Sequence, residues 1–146
     1  MEGAALARRV KMPLYFIDSN VFIYSQVRDF AESDLASAKL EELRNKGQVA
    51  VNAIIISECF YVLTRFIGPE EAAKRIGLFL ESSKVLYLTI EKSTIRKAIQ
   101  LAVAHNHRIN DMIIAQHTLD AKADGLLTDN SMHFTGISNL LLQKMR

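Results

Sequence analysis

Leu14-Tyr15-Phe16-Ile17 is an apolar, aromatic-rich run that stops at a carboxylate, Asp18. Two small polar residues, Ser19 and Asn20, follow before apolar residues resume at Val21. Such a run reads as a buried strand, and the polar break as the start of a helix. In open α/β sheets, ligand sites lie beyond the carboxyl ends of the strands, which is where Asp18 stands. An Asp there can also do no more than cap the next helix. Its meaning rests on whether other acids reach the same place.

The rest of the chain alternates helix and strand. Asn20–Gln26 fits a short helix, and Phe30–Lys46 an amphipathic one with Leu35, Ala38, Leu40 and Leu43 on its apolar face and Gly47 as its stop. Gln48–Val51 reads as a strand. Asn52 is placed to cap Ala53–Phe66, a helix apolar nearly all round and therefore buried. Gly68 closes it, and Pro69, Glu70 and Glu71 start a helix to Leu80. Val85–Leu88 reads as a strand, Glu91–His105 as a helix, and Asp111–Ala123 as a helix capped by Asn110. Gly125–Thr128 reads as a strand and Gly136–Leu141 as a weaker element. This order predicts a three-layer α/β/α sandwich around a central, mostly parallel sheet.

Of 146 residues, 49% are hydrophobic, enough for one domain with a real core. Residues 1–12 read as a basic, mobile extension with Met12 as a candidate start, and 13–146 as a single domain. No apolar run is long enough to span a membrane, and no secretory h-region is evident. A lone cysteine, Cys59, allows no intrachain disulfide and suits a reducing cytoplasm. Zinc-ligand spacings are absent.

Three further places carry acids in apolar surroundings. Glu58 interrupts the helix Ile54-Ile55-Ile56 to Val62-Leu63, where a carboxylate is costly unless paired or bound to a cation; solvent exposure or pairing with Arg65 is the plain alternative. Asp111 falls at a helix start, where the macrodipole favours an ionised acid, and taken alone a simple first-turn acid is the plainer reading. Asp129 and Asn130 follow the strand that ends at Thr128, where a simple turn is the plain alternative. Oxygen donors without a His or Cys cluster suit Mg²⁺ or Mn²⁺, and the chemistry that follows is metal-assisted phosphoryl hydrolysis. If Asp18, Glu58, Asp111 and Asp129 share one site, 12 of the 16 acids remain elsewhere against 18 Lys and Arg. That leaves a basic surface elsewhere, with Arg28, Arg65, Arg108 and Lys122 as candidates near the motifs and ordinary solvated surface charge as the plain alternative for each. His105 and His107 read as helix-end residues, and His133 is not assigned as a base.

Four segments, in order, resemble the motifs of the PIN domain, the nuclease fold of VapC-type toxins. They are Phe16-Ile17-Asp18-Ser19-Asn20-Val21, Ile56-Ser57-Glu58-Cys59-Phe60, Asn110-Asp111-Met112-Ile113-Ile114-Ala115 and Leu127-Thr128-Asp129-Asn130-Ser131-Met132-His133-Phe134. The resemblance implies an Mg²⁺- or Mn²⁺-dependent endoribonuclease with Asp18, Glu58 and Asp111 as core acids. Ser19, Asn20 and Thr128 would support them. It also implies a homodimer and, in toxin–antitoxin systems, an antitoxin partner. The fourth ligand of the family commonly lies two residues after the Thr, which is Asn130; the acid, Asp129, lies one residue after it. Asn130 is expected to face the acids, with Asp129 outside or supporting the turn. The apolar residues of Phe30–Lys46 and Pro69–Leu80 are expected to cover the dimer partner. Rival readings are an RNA-processing nuclease, a degenerate PIN scaffold binding RNA or protein, and a haloacid-dehalogenase-like phosphatase; the last needs a second acid where Asn20 stands.

Overall fold

A computed structural model describes residues 12–146. The extension expected over 1–12 therefore lies outside the described residues, except for Met12. Five strands form one parallel sheet in the order β3-β2-β1-β4-β5: β1 (Leu14–Ile17), β2 (Gln48–Val51), β3 (Val85–Tyr87), β4 (Gly125–Thr128) and β5 (Leu142–Lys144). Six helices connect them: α1 (Ser19–Gln26), α2 (Ser33–Lys46), α3 (Ala53–Ile67), α4 (Pro69–Glu81), α5 (Lys92–His105) and α6 (Ile109–Asp120). The chain steps outward from β1 to β3, then returns to the other side of β1 for β4. Right-handed crossovers place α1–α4 on one face and α5 and α6 on the other. The packing agrees: α1 meets α2 and α3, α3 meets α4, and α5 meets α6.

Helices on both faces explain why the inner strands read as continuous apolar runs. Phe16, Ile17, Val49, Ala50, Val51 and Leu126 are wholly buried. At the amino ends of the strands, β1 and β2 approach so closely that a Cβ on Gly47 would stand 2.0 Å from the Pro13 carbonyl oxygen. That oxygen accepts from the Gln48 N–H at 2.9 Å, so glycine at position 47 is a packing requirement.

Several boundaries differ from the sequence reading. α2 starts at Ser33 because Phe30 is held in a turn, its ring 5.0 Å from both Tyr24 and Phe66. α6 starts at Ile109, with Arg108 rather than Asn110 at its cap; the Arg108 carbonyl accepts from Met112 and closes the first turn. α6 stops at Asp120, where left-handed Lys122 reverses the chain and the Ala123 N–H returns to the Thr118 carbonyl. Gly136–Leu141 forms no regular element, since Gly136 and Asn139 both take positive φ. The elements present there are a 3₁₀ turn at Ser131–Phe134 and the edge strand β5. Of the two helices expected to cover a partner, α2 turns Ala36, Leu40 and Leu43 inward, and α4 exposes only Leu78 among large apolar residues. More exposed apolar side chains sit on α3 (Phe60, Tyr61, Phe66), and α5 adds Ile99 and Val103.

Candidate active site at the carboxyl ends of β1 and β4

The sheet changes direction of winding between β1 and β4, and the cleft beyond their carboxyl ends is where such folds place ligands. Asp18 follows β1 there and is 4% exposed. Its Oδ1 accepts from the Ser19 N–H at 2.8 Å, capping α1, and its Oδ2 accepts from the Thr128 hydroxyl at 2.9 Å. The Asn20 amide lies 3.4 Å from the same Oδ2. Thr128 Oγ1 in turn accepts from the Asn130 N–H at 3.0 Å, and Asn20 Oδ1 stands 3.4 Å from the Asp129 N–H. Ser19, Asn20 and Thr128 thus stitch the β1–α1 corner to the end of β4.

Glu58 and Asp111 reach the same region from α3 and α6. Glu58 Oε1 and Asp111 Oδ2 are buried and have no hydrogen-bond partner. The alternative partner of Glu58, Arg65, bonds to the Tyr61 hydroxyl and stacks over its ring. All three carboxyls are pushed above their ordinary pKa range, in each case chiefly by burial. The charge of Asp111 raises Asp18 further, and the charge of Asp18 raises Glu58. Thr128 and Ser19 draw Asp18 back down, and His133, Arg108 and His107 do so for Asp111. Three acids that repel one another in a desolvated place form a site short of positive charge.

Among the described residues, no three His, Cys, Asp or Glu side chains close into a metal cage by themselves. An Mg²⁺-type ion does not need one, because it is held by one or two carboxylates, waters and substrate phosphate. The donor set therefore fits a hard divalent cation: oxygens only at its heart, two of them buried without partners.

The fourth motif divides. Asp129 Oδ1 lies 3.6 Å from Arg146, whose guanidinium also contacts Glu32. Asn130 is exposed at the start of the 3₁₀ turn and makes no side-chain cap bond. His133, three residues further on, puts Nδ1 3.4 Å from Asp111 Oδ2. Sequence reasoning passed over His133 because the contact is tertiary, although its place in a short turn after a site residue was a usable signal. Arg108, exposed at the N-cap of α6, adds positive charge beside Asp111; Arg28 and Lys122 are likewise exposed. Cys59 is a buried neighbour that points its thiol to the Ser19 carbonyl at 3.7 Å, and burial pushes that thiol well above its usual range.

A second polar contact lies beneath the site. Asn52 caps α3 by accepting from the Ile55 N–H at 3.0 Å, and its amide nitrogen lies 2.9 Å from His117 Nδ1. With its oxygen already committed, Asn52 must donate, so His117 Nδ1 accepts and the ring is neutral. This joins the helix of Glu58 to the helix of Asp111.

Comparison with known proteins gives a consistent set. Ribonuclease VapC2 of Rickettsia felis is 23% identical over 133 residues, covering 89% of this chain and 96% of that protein. The crystal structure of Mycobacterium tuberculosis VapC20 (Rv2549c), a Sarcin-Ricin loop cleaving toxin, superposes with a TM-score of 0.72 at 14% identity, over 86% of this chain and 98% of that one. A toxin-antitoxin complex from Klebsiella pneumoniae contains a chain that matches with a TM-score of 0.68 at 17% identity, over 90% of this chain and 98% of that one. The family model that matches, over residues 15–135, is that of the PIN domain.

Proposed function

The chain belongs to the PIN domain family, and from that premise we propose that it is a metal-dependent endoribonuclease and the toxin of a toxin–antitoxin pair. The observation that carries this is the convergence of Asp18, Glu58 and Asp111 at the β1–β4 switch point, with two buried carboxylate oxygens left without partners. The ribonuclease and toxin relatives support the substrate class, RNA, and an antitoxin as the inhibitory partner.

Asp18, Glu58 and Asp111 are the residues that would hold Mg²⁺ or Mn²⁺. When bound, the ion supplies an activated water and neutralises charge on the scissile phosphate. The chain's own part is to keep the donors in place. Ser19 and Thr128 fix both oxygens of Asp18, while Glu58 keeps Oε1 without a hydrogen-bond partner and Asp111 holds Oδ2 3.4 Å from His133 Nδ1. Arg146 engages Asp129, which favours Asn130 as the fourth oxygen donor, acting through water. Arg108 offers the approaching phosphodiester a positive charge next to Asp111.

Purified protein is expected to cut single-stranded RNA with Mg²⁺ or Mn²⁺ and to stop with EDTA, and Asp18→Asn is expected to be inactive. Cleavage that persists in EDTA at full rate, and equally in Asp18→Asn, would overturn the assignment.

A further inference from the structure

We infer that His117 is a positioning residue of the nuclease centre: its buried ring is a point at which the three elements carrying Asp18, Glu58 and Asp111 are tied together. The inference rests on the metal-site reading above. His117 is buried and stands a turn and a half of helix beyond Asp111, so it acts through the acids rather than on RNA or the ion.

Each element reaches the ring in its own way. α6 carries the ring itself, and Asp111 lies six residues before it, about 9 Å of helical rise. α3 reaches it through its cap. Asn52 accepts from the Ile55 N–H at 3.0 Å and donates its amide N–H to His117 Nδ1 at 2.9 Å. Glu58 lies six residues past that cap, again about 9 Å along its helix. The tie therefore stands at matching distances from both acids. β1 reaches the ring through Phe16, whose centroid is 5.0 Å from that of His117, and Asp18 follows two residues later. The Thr89 backbone, just past β3, hydrogen-bonds the ring as well.

The direct packing of α3 on α6 is slight beside that of α3 on α4. Glu58 Oε1 has no hydrogen-bond partner of its own, so its place depends on where α3 stands. An apolar side chain at position 117 would fill the same space but would leave the helices free to slide. A buried hydrogen bond is specific in length and angle, and without its acceptor the Asn52 amide would be a buried donor with no partner. The Asn52–His117 bond thus holds the two helices, and with them the spacing of Glu58 and Asp111.

The test compares His117→Leu, His117→Gln and Asn52→Ser with the wild type, each well below its own Tm. Mn²⁺ affinity is measured by titration calorimetry, and kcat and KM on a single-stranded RNA. His117→Leu fills the space without an acceptor. It is expected to lose about tenfold in Mn²⁺ affinity and on the order of 10²-fold in kcat, with KM for RNA unchanged. His117→Gln, whose side-chain oxygen accepts from Asn52, is expected to recover most of both. Asn52→Ser keeps an oxygen to cap α3 but has no amide N–H for His117, and is expected to behave like His117→Leu. It carries the test if His117→Leu fails to fold. Wild-type Mn²⁺ affinity and kcat in His117→Leu or Asn52→Ser, whatever their Tm, would show a tie that only stabilises the fold and overturn the inference. So would a His117→Gln protein as impaired as His117→Leu. In both cases the nuclease reading stands, whereas a wild type that neither binds Mn²⁺ nor cuts RNA overturns both.

Discussion

Replacing Asp111 with Asn should stabilise the metal-free protein. The residue is 6% exposed, and its Oδ2 is buried with no hydrogen-bond partner. A charged acceptor left in that state costs about 1–3 kcal/mol, and the neighbouring Asp18 and Glu58 add repulsion. The amide keeps the shape and removes the charge. Against this stand the lost attraction of His133, Arg108 and His107, the loss of favourable charge at the start of α6, about 0.3–1 kcal/mol, and the amide's own unpaired atom. The net gain is on the order of 1 kcal/mol, which for a chain of this size raises Tm by roughly 3 °C. Asp18→Asn gives a contrast at the same site. Both Asp18 oxygens are engaged, by the Ser19 N–H and the Thr128 hydroxyl. Neutralising it weakens charge-assisted bonds and should leave Tm unchanged or lower. The pH dependence has a definite sign. Asp111 is raised from 3.8 by burial, so the folded state holds its proton more tightly than the unfolded state. The penalty is fully present above the raised pKa and is relieved as pH falls through it toward 3.8. The advantage of Asn over Asp should therefore be complete in mildly alkaline buffer and shrink on acidification. The assay is thermal melting in EDTA across that range. A clear drop in Tm for Asp111→Asn in alkaline EDTA would falsify the claim that this carboxylate is held at a cost.

Three other outcomes follow from the geometry. Asn130→Ala should weaken Mn²⁺-dependent cleavage more than Asp129→Ala, since Arg146 engages Asp129, and Asn130→Asp should retain activity; measured rates in the reverse order would move the fourth ligand to Asp129. Burial lowers the His117 pKa from 6.5, so its contribution is complete above that value and is lost as pH falls below it. His117→Gln should flatten the decline of the urea midpoint over that interval, and an unchanged slope would mean that another group sets it. The chain should be a homodimer through exposed helical apolar surface, with Phe60, Tyr61 and Phe66 of α3 the first candidates; light scattering that gives a monomer mass at micromolar concentration would count against this.

The legible parts of the sequence are those where burial leaves a pattern. β1, β2 and β4 are covered on both faces, so their residues are apolar in unbroken runs, and all three were found with their observed limits. Asn52 was readable as a cap because the bond it makes, to Ile55, is local. Glu58 was conspicuous as one charge in an apolar helix. β5 was missed because an edge strand of three residues, Leu142-Gln143-Lys144, has neither length nor alternation. The start of α6 was misplaced because Asn110 looks like a cap, while the chain has only His107 and Arg108 in which to turn after Asn106. His133 on Asp111, Arg146 on Asp129 and His117 on Asn52 join residues far apart in sequence, and no local pattern announces such meetings.

The bond from Thr128 to Asp18 spans 110 residues, and β4 cannot pair with β1 until nearly the whole chain has been made. The first acid is thus synthesised early but is steadied by a residue that arrives late. Contacts of such long range form slowly, after the local helices. A growing or partly folded chain can have α1 to α4 in place while Asp111 and Thr128 are still elsewhere. Its acids are then scattered, and it holds no assembled centre. The site is complete only when the sheet closes, so the order of folding acts as a delay between making the chain and assembling its centre.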